Sequence, residues 1–134
     1  MIRLAARAAL AAAMALCALA AQAQAWPTKP VHFIVPFPPG GSVDPLARML
    51  SARLVDSLGQ QIIVENKPGA SGSIGTAFVA KSVPDGYTYV FVFDMHATNP
   101  SLIPNLPYDT LKDLAPVMLV GTAPMAIVTS PSKP

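Results

Sequence analysis

Cysteine is nearly missing from this chain. The single one, Cys17, sits inside an apolar N-terminal stretch and reads as filler there. The rest of the chain therefore has no disulfide, no thiolate zinc site and no cysteine nucleophile. Catalytic and nucleotide signatures are missing too. The first glycine-rich loop reads Gly40-Gly41-Ser42, not the Gly-Lys-Ser/Thr of a phosphate loop, and no dinucleotide-type glycine triplet occurs. No serine stands in a nucleophile-elbow sequence. The two histidines, His32 and His96, are too far apart in sequence to form a metal motif. Neither a cofactor nor a metal is implied.

Net charge disappears once the N-terminus is set aside. "MIRLAARAALAAAMALCALAAQAQAW" carries Arg3 and Arg7 before an uncharged Ala/Leu-rich run, Ala8 to Ala21. It ends in overlapping small-x-small sites, Ala21-Gln22-Ala23 and Ala23-Gln24-Ala25. This three-part pattern predicts a cleaved secretory signal peptide over 1–25. The competing reading, a membrane anchor, needs about 20 apolar residues and the run is shorter. Removing 25 of the 134 residues leaves 109, with seven Lys and Arg against seven acids. A neutral chain carries no electrostatic footprint for nucleic acid or an anionic membrane surface. No membrane insertion is expected after cleavage, and an ordinary apolar core must hold the exported chain.

Proline is abundant. All 15 prolines lie beyond residue 25, about one residue in seven against a usual ~5%. Strong apolar runs separate them, so they read as loop stiffeners in a globular chain. "VHFIV" (31–35), "QIIVEN" (61–66) and "YTYVFVF" (87–93) read as buried strands. Between them, "DPLARMLSARLVDSLG" repeats leucine at 46, 50, 54 and 58, with Ala47 and Val55 alongside. That predicts an amphipathic helix with Asp44 as N-cap, Pro45 at the first helical position and Gly59 as the stop. "SIGTAFVAKS" predicts a second helix capped by Ser73. Short helical turns are expected after Ser101 and Asp109, and two further strands at "VMLVG" and "MAIVTS". Strand alternating with helix implies an α/β fold on a parallel sheet.

In such sheets ligands bind beyond the carboxyl ends of the strands. Three loops leave those ends: "PFPPGGS", "KPGASGS" and "DMHATNP". All should meet at one rim. A stiff proline segment opening into Gly40-Gly41 and a helix start would present main-chain donors to an anion, a carboxylate above all. Asp44 reads as a helix cap or as an acceptor facing the ligand. Arg48 is expected to pair with Asp44 one turn away. Phe37 walls a pocket or packs in the core. His96 lines or closes a cleft, or pairs with Asp94, and His32 is structural. Ser42 or Ser71 with His96 would make an exported α/β hydrolase, the competing activity; an inactive fragment is the third reading.

The segments "WPTKPVHFIVPFPPGGSVDPLAR", "GQQIIVENKPGASGSIGTAFVAKSVPDGYTYVF" and "HATNPSLIPNLPYDTLKDLAPV" resemble the Bug receptors, the periplasmic solute-binding proteins of tripartite tricarboxylate transporters. The resemblance implies two α/β lobes of the Venus-flytrap type that close on a small carboxylate or amino acid. It implies delivery to the membrane components of the transporter, with no catalysis. By position it implies a ligand grip at Pro39, Gly40, Gly41, Ser42 and Asp44, at Ser71, Gly72 and Ser73, and at His96, Thr98 and Asn99. Asp94 stands where many relatives carry a small residue, and there an acid would repel a second carboxylate or attract an amine. Because family members are much longer, residues 26–115 are expected to be a partial first lobe and 116–134 the crossover and start of a second. A truncated lobe of this kind would be marginally stable, with exposed apolar sheet edges.

Overall fold

The computed structural model describes residues 26–124, 126, 128 and 129. The expected signal peptide over 1–25 lies outside the described residues, as does part of "MAIVTS".

Three parallel strands form the sheet: β1 (Val31–Val35), β2 (Ile62–Asn66) and β3 (Thr88–Val90), in the order β2-β1-β3. Central β1 is the continuous apolar run, and Val31, Ile34 and Val35 are completely or almost completely buried. Its register runs from Val31 opposite Ile62 to Val35 opposite Asn66 on one side, and from His32 opposite Thr88 to Ile34 opposite Val90 on the other. Hydrogen bonds from His32 N–H to the Tyr87 carbonyl and from Phe91 N–H to the Ile34 carbonyl extend the β3 pairing by one residue at each end. The strand expected over 87–93 stops there because β1 runs into Pro36, which has no N–H to continue a ladder.

Helix α1 (Val43–Leu58) packs on β1 and β2. Its buried stripe is Val43, Ala47, Leu50, Leu54 and Leu58, set against Val31, Phe33, Val35 and Ile62. Leu46 and Val55, expected in that stripe, are 38% and 36% exposed. Each step of four residues overshoots a turn by ~40°, so a leucine every fourth position spirals off the face. The helix also begins two residues earlier than expected. Ser42 is the N-cap and makes no side-chain cap bond. Asp44 and Pro45 occupy the second and third helical positions, still within the turn whose N–H groups have no intrahelical partner. Gly59 ends the helix as expected, its N–H donating to the Val55 carbonyl at 3.0 Å.

Strand alternation turns Ile34 to the other face. Helix α2 (Ser73–Ala80) covers β1 and β3. Its N-cap is Gly72, not Ser73, which is buried inside the first turn. Helix α3 (Met95–Leu102) occupies the segment expected to be the third loop. Asp94 caps it, accepting from Met95 N–H at 2.9 Å. Ser101 thus ends a helix and does not start one. Asp109 does organise a turn, accepting from the N–H groups of Leu111 and Lys112.

"VMLVG" is not a strand. Val117, Met118 and Leu119 are 71%, 66% and 78% exposed, and Ala126, Val128 and Thr129 are irregular. An apolar run becomes a strand only beside a ladder partner, and among the described residues none lies beside these. No helix among the described residues is long and apolar enough to cross a membrane.

Candidate functional site

Because all three strands run parallel, the segments after Val35, Asn66 and Val90 leave from one rim, as the alternation of elements predicts. They also touch. Lys67 N–H donates to the Val35 carbonyl at 2.8 Å. The Phe37 ring lies 5.2 Å from the Phe93 ring. Asn99 Nδ2–H donates to the Ser71 carbonyl at 3.0 Å.

The first loop is shaped by side chains. Pro36 is fully buried and ends β1, while Pro38 and Pro39 are exposed. The chain turns at Gly40, at φ 79°. The diglycine amides, expected to be open donors, are engaged inside the loop. Gly40 N–H donates to Asp44 Oδ2 at 3.1 Å and Gly41 N–H to the Pro38 carbonyl at 3.3 Å. The amides of Ser42 and Val43, one step on, have no hydrogen-bond partner among the described residues. The open donors therefore sit at the helix start, with the glycines forming the bend before it.

Asp44 is buried, and its carboxylate is occupied. Besides Gly40 it accepts from Arg48 Nε at 3.1 Å on both oxygens and from Asn66 Nδ2 at 3.0 Å. The Arg48 guanidinium, then the Gly40 amide and the Asn66 amide, outweigh the opposing effect of desolvation and hold its pKa at about 2. Asp44 is neither the N-cap nor an open acceptor but an internal brace. Arg48 pairs with it as expected.

Backbone strain and missing side chains shape the second loop. Gly69, Ala70, Ser71 and Gly72 have φ of 129°, 46°, 54° and 82°. Two non-glycine residues in succession in the left-handed region are costly and persist only where the surroundings fix them. The Gly72 N–H to Gly69 carbonyl bond at 3.0 Å, the Asn99 clamp on Ser71 and the Thr76 hydroxyl donating to the Gly72 carbonyl at 2.8 Å supply that fixing. Gly75 allows α2 to sit against the end of β1: a Cβ there would lie 2.7 Å from the Lys67 carbonyl oxygen and 2.8 Å from Pro36 Cβ. Ala70 and Ser71 are exposed, and among the described residues their amides have no partner.

Between these loops and α3 lies a shallow recess with no enclosed space for a water molecule, lined by Phe37, Ser71, Gly72, His96 and Asn99, with Pro36, Thr76, Val92, Phe93 and Met95. Phe37 lines the recess and also packs against Val35, Val43 and Ala47. His96 is half-buried and stacks on Tyr108, with rings 6.1 Å apart and 12° from parallel. Burial lowers its pKa, and its Nδ1 has no partner among the described residues. Thr98 is turned away, its hydroxyl donating to the Met95 carbonyl of its own helix. Pro39, Gly40, Gly41, Ser42, Asp44 and Ser73 do not line the recess, and Ser73 is buried.

Ser71 and His96 share the recess, but among the described residues no hydrogen bond joins them. Asp94 caps α3 and makes no ion pair with His96. His32 is tied to Glu65 (Nδ1 to Oε1, 2.7 Å) on the sheet, as a structural histidine should be. The described residues contain no cluster of His, Cys, Asp and Glu able to hold a metal. A larger depression at the opposite rim is lined by Lys29, His32, Asp85 and Tyr87. Its main charges already neutralise each other, Lys29 Nζ lying 2.7 Å from Asp85 Oδ2.

Sequence reasoning missed Asn66, Gly75 and Tyr108. Asn66 was visible only as the polar end of an apolar strand, and Gly75 as one small residue in a small-residue helix. Tyr108 carried no signal at all.

The family model of the tripartite tricarboxylate transporter family receptor matches residues 46–134. Protein BugT of Bordetella pertussis is 49% identical over 111 residues, covering 81% of this chain and 34% of the relative. An R. palustris protein solved with adipate superposes with a TM-score of 0.60 at 42% identity, over 63% of this chain and 29% of that one. MatC from Rhodopseudomonas palustris with bound malate gives 0.61 at 37% identity, over 66% and 30%. The chain thus spans about a third of the length of the relatives it matches.

Proposed function

This chain belongs to the tripartite tricarboxylate transporter receptor family, and from that premise we propose that it forms the carboxylate-gripping rim of a periplasmic receptor that binds and does not transform its solute. The observation that carries this reading is the meeting, at one rim, of two loops with amides that have no partner among the described residues: Ser42 and Val43 at the start of α1, Ala70 and Ser71 in the left-handed run. Free amides at a helix start and in a tight turn hold negative charge well. Strain in the second loop means the donors are set before the ligand arrives, so little ordering entropy is lost on binding.

The solute is a small carboxylate, a di- or tricarboxylate or an amino acid. One carboxylate lies against the two loops. The solute's carbon skeleton rests on Phe37 and Phe93, and His96 and Asn99 meet its polar groups. The recess is a shallow depression and not an enclosed ligand cleft, which suits one jaw of a two-jawed site. Residues 26–115 would be the first lobe and 116–134 the passage toward a second. The loaded receptor would deliver its solute to the membrane components of a tripartite transporter, which requires export by a cleaved leader.

Thermal denaturation with malate and adipate tests the reading. A ligand at a hundredfold excess over its dissociation constant raises stability by about 2.7 kcal/mol, and both acids should be recovered unchanged. Absence of stabilisation by every carboxylate tried, or labelling of Ser42 or Ser71 by a serine-directed probe, would overturn it.

A further inference from the structure

Asn66 is the last residue of β2, opposite Val35 in the ladder. Its side chain makes three contacts away from its own strand. Nδ2 donates to the Phe37 carbonyl at 3.1 Å and to Asp44 Oδ1 at 3.0 Å, and Oδ1 accepts from Arg48 Nη2 at 3.0 Å. Both amide hydrogens are thus used, one on the loop and one on α1. Asp44 passes the constraint on, since its other oxygen holds the Gly40 amide. The next residue, Lys67, fastens the start of the second loop to Val35.

We infer that Asn66 is the positioning residue that sets the first loop: its carboxamide ties the Phe37 carbonyl to the Asp44–Arg48 pair and so fixes where the Ser42 and Val43 amides point. The inference rests on the reading of the rim as a carboxylate grip for its functional meaning, but its structural content is independent of any ligand. Only a short carboxamide fits. The Phe37 carbonyl and the Asp44 carboxylate both need donors, and Arg48 needs an acceptor. Aspartate at 66 would keep the acceptor and present negative charge to two oxygens. Leucine or alanine would leave all three groups without the partner they have.

The test is hydrogen exchange and carboxyl titration by NMR on the full chain and on its Asn66→Ala and Asn66→Asp variants. In both variants the Gly40 amide should exchange about tenfold faster, while the Phe33 and Ile34 amides in β1 keep their protection. The Asp44 midpoint should move up from about 2 toward the ordinary carboxylate range. Malate and adipate, where the parent chain binds them, should bind the variants about tenfold more weakly. A folded variant with unchanged Gly40 exchange and an unchanged Asp44 midpoint overturns the inference. So does equal loss of protection in β1, or failure of both variants to fold, since either makes Asn66 a residue of the fold and not of the loop. Equal binding by parent and variants overturns it as well. If the parent binds neither acid, the carboxylate reading fails, and the exchange measurement on the free chain still decides the role of Asn66.

Discussion

The two loops at the carboxyl rim reach the same end by opposite means. The first holds its shape with side chains: Asp44, Arg48 and Asn66 form a charged network around the Gly40 amide. The second holds its shape by lacking side chains, Gly72 and Gly75 letting Phe37, Pro36 and the Lys67 carbonyl come close. Ala70 and Ser71 meanwhile stay in left-handed backbone. A loop braced by polar contacts should respond to pH and charge. One braced by close packing should respond to volume and backbone preference. The contrast makes each loop breakable by a change the other would tolerate.

The largest effect should come from Gly75→Ala. Gly75 needs no unusual φ, so the whole penalty is space. The new methyl would meet main-chain and proline atoms that cannot swing aside, and overpacking of that kind costs about 1–3 kcal/mol. Chemical denaturation should show a lower midpoint with an unchanged slope. A midpoint equal to the parent's would mean that α2 is free to slide, and the second loop would not be packed as described.

How much of this was legible beforehand follows the same division. The strands, the order of elements and the shared rim came from apolar runs and their punctuation, because burial is written in residue type. The left-handed run at Ala70-Ser71 was invisible, since only glycine advertises a positive φ and here two ordinary residues adopt it. Gly40-Gly41 was read as an open cradle, yet which amides stay free depends on Asp44 reaching back four residues. Asn66 joins loop, helix and strand across 22 to 29 positions of sequence, a distance no local pattern spans. The third segment looked like a loop for its Thr-Asn-Pro, but Pro100 is tolerated in the short α3. "VMLVG" had strand chemistry without a strand's neighbour.

A middle-sized effect, of opposite sign, should follow from Ala70→Gly. At φ 46° alanine bears a steric penalty of roughly 1–2 kcal/mol that glycine escapes. Glycine gives back part of it through the greater freedom of the unfolded chain. A net gain of about 0.5–1 kcal/mol is expected, read as a higher melting temperature. Should the carboxylate reading hold, malate affinity would fall at the same time, because the turn would no longer be set in advance. A stability loss would show that the strain is absent.

The smallest effect belongs to the first loop and is a matter of sign. Asp44 has a folded-state pKa of about 2 against an ordinary 3.8. A depressed carboxylate contributes stability that is complete above the unfolded value and disappears as pH falls through the folded one. Melting temperature should therefore decline between about pH 4 and pH 2. The Asp44→Asn variant should start lower at neutral pH and decline less over that interval. The share is modest because Arg48, the chief cause of the depression, is half-exposed (51%) and solvent screens such pairs. Glu65, Asp85 and Asp109 are also depressed, by His32, Lys29 and Lys112 respectively, so the variant should retain part of the slope. The second loop carries no acid, and Gly75→Ala should therefore shift the whole pH curve downward without changing its shape. A variant curve at Asp44 parallel to the parent's would mean that the brace of the first loop is not electrostatic, and the distinction between the two loops would be lost.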